Sequence, residues 1–247
     1  MSDFSKMRDV LLALTKKQIA EAVTEDTMIA QALASFDELT VQLNTLTSRL
    51  REWHAYTLPE LDHIISDNER FVKLIAEKSY TELLKEFAAD KSMGALLTDE
   101  NYIPIQNMAQ KLATLYDERG ELLNYLEKTL KFRAPNMQAL AGTTIAARLL
   151  SGAGSLRRLA IMPSSTIQLL GAEKALFRHL RSGAKSPKHG HIFNHQLVQH
   201  AKRADAGKVA RGLADKLSLC AKLDFFKGEF KGDEYKEALE KKFGGNN

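Results

Sequence analysis

With 247 residues, 44% of them hydrophobic, the chain can bury one large or two modest cores without staples, and its single cysteine excludes any disulfide framework. The net charge of +4 is a difference between unlike halves: residues 1–133 hold 16 Lys/Arg against 22 Asp/Glu, and residues 134–247 hold 19 against 9. No apolar run reaches the roughly 20 residues of a membrane span and the N-terminus has no signal-peptide character, which excludes a membrane protein and predicts a reducing, intracellular setting, cytoplasmic or nuclear.

The first half reads as long helices. Ile29, Ala32, Phe36, Leu39, Leu43, Leu46, Leu50 and Trp53 recur at alternating steps of three and four, the seam of a coiled coil. No proline precedes Pro59, so one helix is expected from near Phe4 to near Tyr56, about 75 to 80 Å long. So long a helix needs a partner. Ile105, Met108, Leu112, Leu115, Leu122 and Leu126, widened by Ala109, Tyr116, Leu123 and Leu130, supply a second stripe that can pack antiparallel on the first. Between the arms, about 58–102, lies a tip of shorter helices. Ser66 with Glu69 and Ser79 with Glu82 each match the S/T-x-x-E capping box, predicting helices near 67–77 and 80–89. The tip's Phe71, Leu74, Ile75, Leu83, Leu84 and Phe87 serve either a homodimer contact or internal packing, and both readings stay open.

Pro135 ends the second arm, since the residue before proline disfavours the helical region. A helix rich in small residues is expected over 136–150, ending at Gly152 and Gly154, then a short helix over Thr166–Leu170. Gly171 opens a helix over 172–181, residues 183–195 form a loop, and Asp205 caps a helix running to Leu223. Gly232 and Asp233 start a last short helix, and Gly244 to Asn247 should fray. No strand pattern occurs. The expected fold is all-α, a long antiparallel coiled-coil hairpin with a helical tip followed by a compact helical domain. The divisions are 1–133, 134–230 and a C-terminal helix and tail at 231–247.

Catalytic and metal chemistry find little support. His189, His191 and His195 have no cysteine or carboxylate partner in the loop and no HExxH spacing, so no metal site is assigned. Neither GAEK nor GAGS is a phosphate-binding P-loop, and no nucleophile elbow or carboxylate pair stands out, so neither an enzyme nor a cofactor is expected. Cys220 reads as core filler.

Binding chemistry remains, because residues 134–222 carry 14 basic against 3 acidic side chains, which favours a polyanionic partner. Gly171 at a helix start offers unpaired backbone N–H groups to an anion. Lys174, Arg178 and Arg181 follow on one helical stripe, and Lys185, Lys188, His189 and Asn194 come from the loop. Lys202, Arg203, Lys208 and Arg211 can form a second phosphate-contacting surface. Phe177 and Phe193 are assigned to the core, with base stacking as the alternative for Phe193, and Glu173 to a helix-dipole or salt-bridge role.

The segment STIQLLGAEKALFRHLRSGAKSPKHGHIFNHQLV closely resembles the signature of the Nop domain family, which has archaeal, nucleolar and spliceosomal members. LREWHAYTLPEL (50–61) is similar to the family's approach to its coiled-coil tip, residues 134–168 to the start of its RNA-binding domain, and GKVARGLADKLSLCAKLDFF (207–226) to its closing helix. The resemblance implies a coiled-coil domain that forms homodimers in archaea. It implies a domain that binds kink-turn RNA of box C/D particles together with a small ribosomal-protein-like kink-turn binder. It also implies a scaffold for guided 2′-O-methylation and rRNA or tRNA processing, the methyltransferase being fibrillarin. By motif position it implies RNA contacts from Gln168, Gly171, Ala172, Lys174 and Arg178, then Lys188, His189, Asn194 and His195, with Lys208 and Arg211 on the later helix. The family's N-terminal fibrillarin-binding domain is not expected in this chain, which leaves fibrillarin recruitment open. The lack of a lysine-rich tail suits an archaeal, cytoplasmic protein. The alternatives are a dimerisation paralogue without fibrillarin, or a general RNA-processing factor.

Overall fold

The computed structural model describes residues 3–87 and 92–244, the side chains of Asp3 and Asp99 excepted. The end of the helix expected to reach residue 89 and the tail at 245–247 lie outside them. The described residues are helical, without strands. In chain order the helices are α1 (Asp3–Ala22), α2 (Glu25–His54), α3 (Pro59–Ile64), α4 (Asn68–Glu77), α5 (Tyr80–Phe87), α6 (Asp99–Arg133) and α7 (Pro135–Ala141). Then come α8 (Thr143–Ala153), α9 (Leu156–Ile161), α10 (Ser164–Leu169), α11 (Glu173–Ser182), a 3-10 turn (His191–Asn194), α12 (Gln196–Gln199), α13 (Ala206–Phe225) and α14 (Gly232–Phe243). They form two compact units: residues 34–124, and those up to Leu33 together with those from Tyr125 onward. The divisions expected at 133/134 and 230/231 follow sequence texture, whereas these units follow packing.

Within residues 34–124, α2 and α6 run antiparallel: Thr47 Oγ1 lies 3.0 Å from the Tyr116 hydroxyl, and His54 Nε2 lies 3.4 Å from the Tyr102 hydroxyl. The covered face of α2 is not quite the expected seam. Leu43, Thr47, Leu50 and His54 are buried, while Leu46 and Trp53 are exposed, so the seam slips by one residue. The two polar side chains are tolerated there because tyrosine hydroxyls on α6 meet them. At the tip, Phe71, Ile75 and Leu83 are fully buried by this unit, which is the internal-packing reading of those residues. Outward-facing apolar side chains are instead Tyr56, Met93 and Leu96. The Ser79 box forms in half: Glu82 Oε2 accepts from Ser79 N at 2.8 Å and from Ser79 Oγ at 2.7 Å, so the hydroxyl donates to the carboxylate. The first box slips by one residue: Asp67, not Ser66, caps α4 by accepting from Arg70 N at 2.7 Å.

In the other unit, the helix expected from Phe4 to Tyr56 is broken at Val23 and Thr24. Two β-branched residues in succession weaken the helix there, and the Thr24 carbonyl accepts from Thr27 N and Met28 N to begin α2 anew. The new start turns Asp26 inward, where it accepts from Arg133 Nε at 2.7 Å and from Leu156 N at 2.9 Å. Burial alone would raise its pKa, but those donors outweigh it and hold the carboxyl below its ordinary value.

The single helix expected over 136–150 is also split, because Gly142 sits at φ +80° between α7 and α8. Gly154, at φ +82°, ends α8 where a stop is expected. Helix α13 is the centre of this unit. Its Val209, Ala210, Leu213, Ala214, Leu217, Cys220 and Ala221 are buried at helical spacing against α7, α9 and α10. Cys220 is core, its thiol pushed up to about 12 chiefly by burial. Asp224 accepts from Asn136 N and Met137 N, both at 3.0 Å, and so caps α7, while Asn136 Oδ1 accepts from Lys231 N and seats α14. Asp205 occupies the cap position of α13, but its side chain makes no cap hydrogen bond and pairs with Lys208 Nζ at 3.3 Å. Among the described residues no helix is long and apolar enough to cross a membrane.

Candidate nucleic-acid interface

The stretch from α10 to α13 is held open by two close backbone approaches. Gly190 N donates to Gln168 O at 2.8 Å and His191 N to Leu170 O at 2.7 Å, which lays the loop after α11 along the α10–α11 junction. A Cβ on Gly190 would collide with the Leu170 carbonyl, and one on Gly171, itself at φ +89°, would collide with the His191 ring. Glycine is required at both. The loop is fastened further by His179 Nδ1 against the Ala184 carbonyl and by Gln168 Nε2 donating to Lys188 O at 2.6 Å.

So braced, α11 projects with no buried residue. Lys174, Arg178 and Arg181 share one stripe, all exposed and without an ion-pair partner among the described residues. Beside the stripe stand Phe177 and Leu180, 68% and 72% exposed. Phe177 is therefore not core, and neither is Phe193. The sequence places apolar residues on a helical face, but in this helix only Ala175, Leu176 and His179 turn toward the body, and they are half-buried.

The expected anion site at the start of α11 is altered. Glu173 Oε1 accepts from Gly171 N at 2.7 Å, which lowers that carboxyl's pKa, and Ala172 N is taken by Leu169 O at 2.8 Å. Gly171 and Ala172 shape the turn, and cationic side chains, not those two N–H groups, face solvent. In the loop, Lys185 is exposed and has no ion-pair partner among the described residues, whereas Lys188 Nζ donates to Arg203 O at 3.0 Å. His189 stacks on Phe193, and burial first of all holds its pKa below the ordinary imidazole value.

His195 is structural. Its Nε2 bonds the Leu140 carbonyl at 3.1 Å, its Nδ1 accepts from Leu197 N at 3.2 Å, and burial lowers its pKa. Asn194 is exposed and lines, with His195 and Lys202, a cavity of about 640 Å³ reaching toward α14. Lys208 and Arg211 lie exposed on the first turns of α13. The expected residues thus fall into three groups: the α11 stripe, the loop after α11 and the start of α13. Gln168, Gly171, Ala172, Lys188 and His195 spend contacts on holding them in place. Arg203, whose carbonyl holds Lys188 Nζ, and the exposed pair Phe177 and Leu180 carry more weight here than their sequence context suggests. Among the described residues no three His, Cys, Asp or Glu side chains are grouped to hold a metal ion.

A helical body that exposes unpaired cations beside aromatic side chains has the surface of a polyanion-binding protein. Residues 35–244 match the Nop family, described as a snoRNA binding domain, fibrillarin, and the chain belongs to that family. It is 43% identical over 246 residues to an uncharacterised NOP5 family protein of Methanocaldococcus jannaschii, covering 93% of this chain and 59% of that one. It is 40% identical over 215 residues to nucleolar protein 58 of Schizosaccharomyces pombe, covering 81% and 42%. A chain in the crystal structure of a fibrillarin/Nop5p complex is similar with a TM-score of 0.57 and 25% identity, over 98% of this chain and 78% of that one. The chain thus spans about three fifths and two fifths of the two curated relatives.

Proposed function

We propose that this chain is the RNA-binding scaffold of a box C/D-type ribonucleoprotein and not its catalyst. It grips kink-turn RNA jointly with a small ribosomal-protein-like kink-turn binder, and the particle serves guided 2′-O-methylation and the processing of rRNA or tRNA. The observation that carries this reading is α11, a helix with nothing buried whose cationic stripe adjoins exposed Phe177 and Leu180. Cations suit phosphates and the apolar pair suits a protein surface, so one element can touch both halves of a protein–RNA composite. Membership of a family described as snoRNA binding supports the same reading. In this proposal residues 134–230 bind RNA and residues 1–133 serve dimerisation, for which exposed Tyr56, Met93 and Leu96 at the tip are the candidate contact. Fibrillarin is a candidate partner, because the similar solved structure is of a fibrillarin/Nop5p complex.

The test is a gel-shift titration of box C/D guide RNA carrying its small kink-turn binder. With about five phosphate contacts, log affinity should fall against log salt with a slope near −4 to −4.5. Lys174→Ala and Arg178→Ala should each weaken binding and flatten that slope by about 1. Unchanged affinity in both variants would remove the site. A stable dimer by light scattering with no RNA shift would favour the structural dimerisation module instead.

A further inference from the structure

The loop after α11 and the segment before α13 enclose an open cleft of about 470 Å³, lined by Lys185, Lys188, His189 and Phe193 on one side and by Gln199 and Arg203 on the other. It falls within the roughly 300–1,000 Å³ of small-ligand clefts. Its walls are tied together, since Lys188 Nζ bonds the Arg203 carbonyl while Gln168 holds the Lys188 carbonyl. His189 and Phe193 lie nearly face to face, ring centroids 4.6 Å apart and planes 15° from parallel. Burial lowers the pKa of the imidazole and so favours its neutral form, and the pair offers a flat surface.

Phe193 remains 46% exposed, which leaves part of its ring uncovered. The Lys185 and Arg203 side chains beside it meet no carboxylate among the described residues. An uncovered ring flanked by free cations suits one kind of group well: a planar base carrying a phosphate. Base–aromatic stacking with a cationic groove along the backbone is the general mode of binding unpaired nucleotides. A duplex cannot use such a slot, because its bases are stacked inside the helix, whereas a sharply bent RNA turns bases outward.

We infer that this cleft receives a single unstacked nucleotide of the bent RNA, its base on the Phe193–His189 pair and its phosphate at Lys185 and Arg203. This rests on the RNA-binding reading above and adds where an extruded base goes. The α11 stripe holds the backbone, and the cleft takes one base out of it. Gln199, at the rim, presents an amide that can donate and accept at the edge of that base.

The experiment uses the full chain and the small kink-turn binder with box C/D guide RNAs carrying 2-aminopurine at one unpaired position at a time. One position should be quenched when the chain binds, and Phe193→Ala should abolish that quench and weaken binding about 5- to 150-fold, the range for one base stacked on an aromatic side chain. Phe193→Tyr should restore both. An abasic residue at the quenched position should erase the difference between wild type and Phe193→Ala, since nothing is left to stack. Because Phe193 is half-exposed, thermal melting of the variants should match wild type, which separates lost stacking from lost folding.

Phe193→Ala binding as wild type with the quench intact would overturn the cleft alone. So would an equal loss of affinity toward a plain duplex without unpaired bases. Failure of the wild-type chain to bind the assembled RNA would overturn the functional reading and this inference with it.

Discussion

Most basic side chains of residues 34–124 meet a carboxylate, Arg70, Lys85 and Lys111 being the exceptions among the described residues, and most of those in residues 171–211 do not. In the first region Arg49 meets Glu52, Arg51 meets Asp62, Lys73 meets Glu69 and Asp117, Lys78 meets Glu86 and Arg119 meets Glu69. In the second, Lys208 meets Asp205, while Lys174, Arg178, Arg181, Lys185, Lys202, Arg203 and Arg211 meet no carboxylate among the described residues. Unscreened like charges on one face repel, and a fold gains nothing by gathering them. The contrast teaches that basic side chains matter for binding when the structure withholds their partners, not when they are merely frequent.

The comparison can be broken or sharpened in order of expected effect. Removing the core of the paired region should cost most: Phe71→Ala, at a fully buried ring, should lower stability by about 3–5 kcal/mol in urea unfolding, with RNA affinity at saturating folded protein unchanged. Next is pH. Burial holds His54 at about 4 against its ordinary 6.5, only partly opposed by the Asp62 carboxylate. The unfolded chain therefore takes up a proton near pH 6.5 that the folded chain refuses until about 4. Stability present above pH 6.5 should fall by about 3 kcal/mol on acidification through that window. Urea midpoints that do not move between pH 7 and pH 4.5, with m-values constant, would contradict it.

On the open side, the double variant Lys174→Ala/Arg178→Ala should reverse the pattern. Stability should stay within about 0.5 kcal/mol, as for surface positions without contacts, while the salt slope of RNA binding flattens by about 2. If the double variant melts early, α11 is a structural element and the contrast fails. The smallest effect belongs to a paired surface charge. Arg49→Ala breaks a contact of 2.6 Å to Glu52 between two well-exposed side chains, and should cost only about 0.3–0.5 kcal/mol in a denaturant titration.

Much of the helical layout was legible, for reasons that are local. The stripes from Ile29 to Trp53 and from Ile105 to Leu126 announced α2 and α6, because apolar spacing near 3.6 is a property of the segment itself. The reach of Glu82 back to Ser79 N and the Gly154 stop are readable for the same reason. The break at Thr24, the slipped seam through Thr47 and His54, and the kink at Gly142 were not. The first two involve groups far away in the chain: Arg133 gives Asp26 a reason to turn inward, and the Tyr116 and Tyr102 hydroxyls make the polar seam tolerable, while the third rests on the positive φ that Gly142 adopts. At the candidate interface the cationic stripe is visible in the sequence, but the exposure of Phe177 and Phe193 is not. Hydrophobicity says what a side chain gains by being covered and not whether anything is there to cover it.

By itself the sequence determined the all-helical class, the segregation of charge and the membership signalled by the GAEK stretch, since each is written in neighbouring residues. The tertiary structure decided which cations keep a counter-ion, because the partners arrive from afar: Glu69 reaches Arg119 across 50 positions and Asp26 reaches Arg133 across 107. It also decided that α11 is left uncovered. Coulomb attraction and desolvation act through space, and only folding sets those distances.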